Sequence, residues 1–312
     1  MNIIVLGGCG YVGSVLVKKL LNQKHKVLVL DTKWFGNYIK PHKNLKIIKT
    51  DIRNLKKISF RGYKVIIHLA NIANDPSSEL NPNLSWEVNV LATHEIITKA
   101  INDGVKKFIY SSSGSVYGIK KEKKVTEDLP PVPLSIYNKT KMIAERVLLS
   151  FNKQIKIYIV RPGTVCGVSP RMRLDISINM LTTQAINKRE ITIFGGSQKR
   201  PNIHIQDLTD IFIFFSKYNK ETGVYNAGFE NLSILNIAKT IQKKIRCKIK
   251  IKKIFDLRSY NLDSSKLIRS GFKPKYSIKN AIDEINQAYN QKKLINKKEW
   301  HSVKWLKKIK II

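Results

Sequence analysis

The chain has 312 residues, 43% of them hydrophobic and 9% aromatic, enough to bury the core of one large α/β domain or two modest ones and too apolar for a disordered chain. Lys and Arg total 57 against 22 Asp and Glu, a formal net charge of +35. Lysine supplies 46 of the basic residues and is spread along the whole chain amid heavy use of Ile and Asn, so the charge reads as compositional drift more than as a polyanion-binding face, which would lean on Arg.

The first half predicts alternating strands and helices. An apolar strand at 2–6 runs into a Gly-rich turn, and 11–21 carries Val12, Val15, Leu16 and Leu20 at helical spacing. Strands follow at 26–30, ending at Asp31, and at 45–49 and 64–69; then come a long helix at 86–101, a strand at 107–110, a helix at 136–151 and a strand at 156–160. Strands at this spacing separated by helices predict an α/β fold with a doubly wound parallel sheet. After Arg161-Pro162-Gly163 the pattern loosens, and short strands mix with helices near 178–186, 207–216 and 234–245, as in a smaller region completing a cleft over the sheet. The Lys-rich stretch 292–312, with Trp300 and Trp305, reads as a basic, partly ordered extension, a membrane surface or nucleic acid being the alternative ligands. Cys9, Cys166 and Cys247 have neither metal-ligand nor disulfide-framework spacing, which fits a reducing, cytoplasmic compartment. No apolar run approaches a membrane span, and the N-terminus does not have the pattern of a signal peptide.

Gly7, Gly10 and Gly13 form GxxGxxG between the first strand and the first helix. A diphosphate needs this arrangement: a tight turn, a backbone that can be approached closely, and free N–H groups at a helix N-terminus. Asp31, at the end of the second strand, is placed to take the adenosine ribose hydroxyls and to repel a 2′-phosphate, so the cofactor expected is NAD. Asp51-Ile52-Arg53 follows the third strand at the height of an adenine ring. Tyr137 and Lys141 are four apart on one helix face, where a Lys ammonium would lower the phenol's pKa. In a chain so rich in Lys that pair alone is weak; it gains weight from the Ser111–Ser113 run, which follows a strand at the sheet edge where ligands bind.

Taken together, GGCGYVG at 7–13, Asp31, DIR at 51–53, HLAN at 68–71, VNV at 88–90, SSSGSVYG at 111–118, YNKTK at 137–141 and RPGTVCG at 161–167 resemble the extended short-chain dehydrogenase/reductases, in the NAD-dependent epimerase/dehydratase branch that acts on nucleotide sugars. RPNIHIQD at 200–207 and RSYNLDSSKL at 258–267 extend the resemblance to about residue 290. It implies a Rossmann-type sheet over 1–165, with 203–228 returning to it, a substrate-binding region of mixed α/β structure over 166–202 and 229–290, and the basic extension over 291–312. It implies Tyr137 as general base, Lys141 as its activator and ribose ligand, and Ser113 as hydrogen-bonding partner at the reacting oxygen. Gly7, Gly10, Tyr11, Val12, Gly13, Asp31, Asp51, Ile52, Leu69, Ala70, Asn89, Ser111 and Pro162 would hold NAD beside Tyr137 and Lys141. Arg200 and Arg258 would grip the diphosphate of the sugar nucleotide, with Ser113, Thr164 and Asn179 as further substrate contacts. A homodimer through the helices at 86–101 and 136–151 is implied as well.

The chain departs from the family's pattern in ways that narrow the chemistry. Gly114 and Ser115 stand where the 4,6-dehydratases place an Asp-Glu pair, which disfavours elimination of water. Thr164 replaces the Asn common in galactose epimerases, and Cys166 stands where many members carry Tyr. Arg171 and Arg173 either meet a phosphate or sugar or only fix their loop. The expected function is a nucleotide-sugar epimerase acting at C4. The alternatives are a 4-dehydrogenase or 4-keto reductase with the same triad, and, more distantly, an RNA- or polyanion-binding protein on the same fold.

Overall fold

A computed structural model describes residues 1–253 and 259–310. In the first half β1 (Asn2–Leu6), α1 (Tyr11–Asn22), β2 (Lys26–Asp31), β3 (Leu45–Lys49) and β4 (Val65–His68) are followed by the short helices α2 (Asp75–Ser78) and α3 (Pro82–Trp86), then by α4 (Ala92–Asn102), β5 (Lys107–Ser111), α5 (Ile136–Leu149) and β6 (Lys156–Pro162). The second half holds β7 (Thr164–Cys166), α6 (Ser177–Lys188), β8 (Glu190–Phe194), β9 (Lys199–His204), α7 (Ile205–Lys217), β10 (Gly223–Ala227), β11 (Glu230–Ser233), α8 (Ile234–Lys244), β12 (Lys248–Lys252), α9 (Ser265–Arg269), α10 (Ile278–Asn290) and α11 (Ser302–Lys308).

Seven strands form one parallel sheet in the order β10-β6-β5-β4-β1-β2-β3, the expected doubly wound architecture. The central strand shows why it is covered on both faces. Ile3 and Val5 point into the core built by Leu16, Val17 and Leu20 of α1 and Ile211, Phe212 and Phe215 of α7. Ile4 and Leu6 point the other way, into the core of Ile96 and Ile97 of α4 and Ala144 and Leu148 of α5. A parallel strand buried on both sides needs an unbroken apolar run, and β1 supplies one. The second region has its own small sheets, β11-β9-β7 and β12-β8, over a separate core. Cys9 is buried in the α1/α7 core, Cys166 and Cys247 in that of the second region, and all three are free thiols. Among the described residues no helix is long and apolar enough to cross a membrane.

The structure differs from the sequence reading in two places that matter for the site. The long helix expected over 86–101 begins at Pro82, capped by the Asn81 side chain on Leu84 N, and is interrupted by a π-helical turn at Glu87–Leu91. That wider turn carries Asn89 inward, fully buried, where its amide holds both backbone groups of Ile72 (2.8 and 3.2 Å) and the Thr140 hydroxyl (3.0 Å). The basic C-terminal stretch folds back: Trp300 and Leu306 are buried, and α11 lies against the mouth of the cleft.

Candidate active site

All seven strands of the main sheet run parallel, so the turns after them collect at one edge. A cleft of about 470 Å³ opens there, walled by the segments after β1, β2, β4, β5 and β6 and by the second region. At one end is the glycine turn. Gly7 has φ +78°, and a Cβ on it would sit 2.6 Å from the Ala70 amide nitrogen; a Cβ on Gly13 would lie 2.4 Å from the Gly7 carbonyl oxygen. Only glycine lets the turn and the helix come this close. Gly10 is the N-cap of α1; it provides no side-chain cap, and no acid stands in the first turn. Gly10, Tyr11, Val12 and Gly13 line the cleft, with the first amides of α1 lacking intrahelical acceptors.

Asp31 ends β2 and accepts the amides of Cys9 (2.9 Å) and Lys33 (2.7 Å). Burial pushes its carboxyl above the ordinary range, and those two amides pull it back. Leu69, Ser111 and Pro162 line the cleft. Asp51 is engaged by the Arg53 guanidinium (2.9 and 3.1 Å), and Ile52 is a core residue; both stand apart from the cleft wall. Asn89 supports the wall through Ile72 without lining it.

Tyr137 and Lys141 lie on the first turns of α5, which Ser135 caps through Asn138 N (3.2 Å). Lys141 is buried; its Nζ donates to the Ser111 carbonyl (2.6 Å), 4.7 Å from the Tyr110 ring centre and 5.8 Å from that of Tyr137. Burial pulls its pKa down to about 7, against the pull of Glu145. Burial likewise pushes the Tyr137 phenol up to about 12; the hydrogen bond with Ser113 lowers it, Asp75 raises it and Arg173 lowers it. The sequence reading has Lys141 drawing the phenol down; in the structure burial raises it instead. Desolvation dominates both groups, and the ammonium is turned onto the Ser111 carbonyl.

Ser113 Oγ also meets Ser115 Oγ (2.7 Å), which donates to Asn138 Oδ1 (2.5 Å). Beneath this segment Ser112 donates to Glu145, which is paired with Arg161 (2.5 Å), and Arg161 donates to the Tyr117 hydroxyl (2.6 Å). Sequence reasoning missed several wall residues. Ser115 and Asn138 were visible inside the motifs, and Asp75 was not singled out although it lines the cleft and accepts the Ser135 hydroxyl. Asn74, at φ +82°, caps α2 and gave no sequence signal.

In the second region Thr164 and Arg200 line the cleft, Arg200 close enough to Tyr260 to lower its phenol against the upward push of burial. Arg258 lies outside the described residues. Asn179 is fully buried, accepting Gly167 N (3.0 Å) and donating to the Tyr11 hydroxyl (3.1 Å) and the Arg173 carbonyl (3.0 Å), so it braces the loop and is not part of the cleft wall. Arg173 grips Asp175 with two bonds (3.0 and 3.1 Å) and reaches the cleft; Arg171, buried, lines it too.

An uncapped helix end, a glycine turn too close for any Cβ, and a carboxylate at the tip of β2 fit a dinucleotide with a free ribose 2′-hydroxyl. The comparisons agree. A family model described as "NAD dependent epimerase/dehydratase family" matches residues 3–228. A UDP-glucose 4-epimerase of Lactobacillus helveticus is 30% identical over 270 residues, 77% of this chain and 82% of the relative. Among solved structures, the UDP-glucuronic acid 4-epimerase of Bacillus cereus, in complex with UDP-glucuronic acid and NAD, is 27% identical with a TM-score of 0.79, covering 93% of this chain and 99% of that one. The UDP-glucose 4-epimerase of Thermotoga maritima with UDP-glucose superposes with a TM-score of 0.85 at 24% identity, over 94% and 100% of the two chains. Sequence, fold and cleft lead to one conclusion: the chain belongs to the NAD-dependent epimerase/dehydratase family of enzymes.

Proposed function

We propose that the protein is a nucleotide-sugar epimerase acting at C4 of the sugar, with Tyr137 as the base. One observation carries the reading: Ser113, Tyr137 and Lys141 share a cleft with the uncapped end of α1 and Arg200, while Gly114 and Ser115 occupy the places where an acid/base pair for dehydration would stand. The 4-epimerase relatives, acting on UDP-sugars by their names, support it.

NAD, when bound, supplies the hydride acceptor and donor. The chain's residues handle the proton and the geometry. Tyr137 Oη takes the proton of the sugar hydroxyl and returns it to the keto oxygen, while Ser113 Oγ donates to that same oxygen. Lys141, where protonated, would oppose the burial that raises the Tyr137 phenol, and Arg200 anchors the substrate diphosphate so that the keto-sugar can present its other face. Asp31 and the α1 amides orient the cofactor. In this reading 1–165 with 203–228 serve the cofactor, 166–202 with 229–290 serve the sugar nucleotide, and the active form is a cytoplasmic homodimer through the α3–α4 and α5 faces, which light scattering checks.

The test is a mass balance. Purified protein is incubated with UDP-, GDP-, CDP- and dTDP-sugars, products are followed by NMR, and reduced cofactor by absorbance. An isomer of unchanged mass inverted at C4, without accumulating NADH, is the expected outcome. Stoichiometric NADH with a keto-sugar would make the protein a dehydrogenase instead.

A further inference from the structure

Arg171 is 3% exposed and lines the cleft together with Gly10–Gly13, Trp34, Phe35 and Ser302. The groups in direct contact with its guanidinium are neutral, with Asp175 and Asp31 acting on it from farther off. It donates to the Glu299 carbonyl (3.3 Å) and the Ser302 hydroxyl (3.2 Å) and lies 4.0 Å from the centre of the Phe35 ring, while its Nε has no partner. Among the described residues it forms no ion pair, whereas its neighbour Arg173 takes both oxygens of Asp175, and Asp31 is occupied by two amides. A buried cation without an ion-pair contact is costly; burial pulls this one down to about 9, Arg173 adding to the fall and Asp175 and Asp31 opposing it.

Its position indicates which anion completes it. Ser169, two residues earlier, donates to the Tyr11 carbonyl (2.7 Å) and meets the Ser14 hydroxyl (2.9 Å), which fixes the loop to the first turn of α1. Phe35, under the guanidinium, comes four residues after Asp31. Arg171 therefore lines the cleft together with the uncapped helix end, with Asp31 near enough to act on its charge. The C-terminal segment holds it there, itself anchored by Trp305 Nε1 on the Trp34 carbonyl (2.6 Å), Ser302 N on Asp175 (3.1 Å) and Leu174 N on the Trp300 carbonyl (2.9 Å).

We propose that Arg171, positioned by the C-terminal segment that carries Glu299 and Ser302, binds the diphosphate of NAD and with the α1 amides encloses it. A planar guanidinium matches two phosphate oxygens, and a charge-assisted pair in a water-poor site is strong. The C-terminal segment is then part of the cofactor site. This inference rests on the family's cofactor and not on the sugar or the ring carbon, so either can fail without the other.

The experiment measures equilibrium binding of NAD, ADP-ribose, NADP and adenosine to the full chain freed of cofactor, by calorimetry, for the wild type, Arg171→Met and Arg171→Lys, together with ligand-free melting temperatures. Arg171→Met is expected to weaken NAD and ADP-ribose by about 10- to 100-fold, as for a hydrogen bond to a charged group, and to leave adenosine unchanged. Arg171→Lys keeps the charge without the fork and falls between; it also serves if the Met variant does not fold. Ser302→Ala gives a smaller loss of the same ligands. Equal losses for adenosine and ADP-ribose, or no loss for either, would overturn the proposal and leave Arg171 a packing residue. A loss confined to NADP would overturn it in favour of a 2′-phosphate contact.

Discussion

Glu145 and Arg161 face each other at 2.5 Å beneath the Ser111–Ser113 segment, both side chains about 95% buried, with Ser112 bonded to the first and Tyr117 to the second. The pair joins α5, which carries Tyr137 and Lys141, to β6 and to the strand end bearing Ser113. Removing one partner leaves an unmatched buried charge. Glu145→Gln is expected to cost about 3–5 kcal/mol of stability in urea unfolding, and replacing both partners by Met recovers most of it. A double variant no better than the single one would show that the hydrogen bonds to Ser112 and Tyr117 outweigh the ion pair.

Tyr137→Phe removes the hydroxyl proposed as proton acceptor but not the ring that packs in the cleft. Turnover on the substrate identified by NMR is expected to fall about 10²- to 10⁴-fold, while bound NADH keeps its fluorescence and affinity. Turnover within a few-fold of the wild type would remove Tyr137 from the chemistry.

Lys141 gives a pH dependence with a definite sign. Its ordinary value of 10.5 falls to about 7 on burial, so between those limits the unfolded chain binds more protons than the folded one, and this group's contribution makes stability rise with pH. The penalty is complete below pH 7. Lys141→Met is therefore expected to melt above the wild type at pH 6, with the gap closing towards pH 10. A variant less stable than the wild type at pH 6 would mean that the bond to the Ser111 carbonyl outweighs desolvation.

A methyl group on Gly13 meets the Gly7 carbonyl and the Gly8 backbone, neither of which is a flexible side-chain end. Gly13→Ala is expected to lose about 1–3 kcal/mol of stability and to bind ADP-ribose more weakly, both read by thermal melting with and without the ligand. Gly62→Ala gives a contrast: no neighbour lies within 4 Å, but its φ of +81° strains any side chain, so it costs stability without touching ADP-ribose binding.

Most of the sheet was legible because its signals are local. The apolar runs of β1 and β2 and the helical spacing of Val15, Leu16 and Leu20 report burial directly, and Gly7, Gly10 and Gly13 report a backbone constraint. Tyr137 and Lys141 were legible as a pair on one helix face. Their protonation was not, because it depends on how deeply α5 sinks into the cleft, which spacing does not encode. The inward turn of Asn89 depends on a π-helical step with no composition of its own. The place of the C-terminal segment depends on contacts across some 270 residues, such as Trp305 with Trp34; its only local sign was a pair of tryptophans in a lysine-rich stretch.

The three cysteines give the protein an internal clock. Each thiol is buried, and burial raises each pKa, Cys9 to about 12, so the folded chain offers an alkylating reagent almost no thiolate. Labelling at neutral pH then proceeds only as fast as the surrounding layer opens. Cys9 reports the opening of the layer under the glycine turn, and Cys166 and Cys247 that of the second region, so mass spectrometry of one labelled sample resolves whether the two halves breathe together and which of them a bound nucleotide quiets.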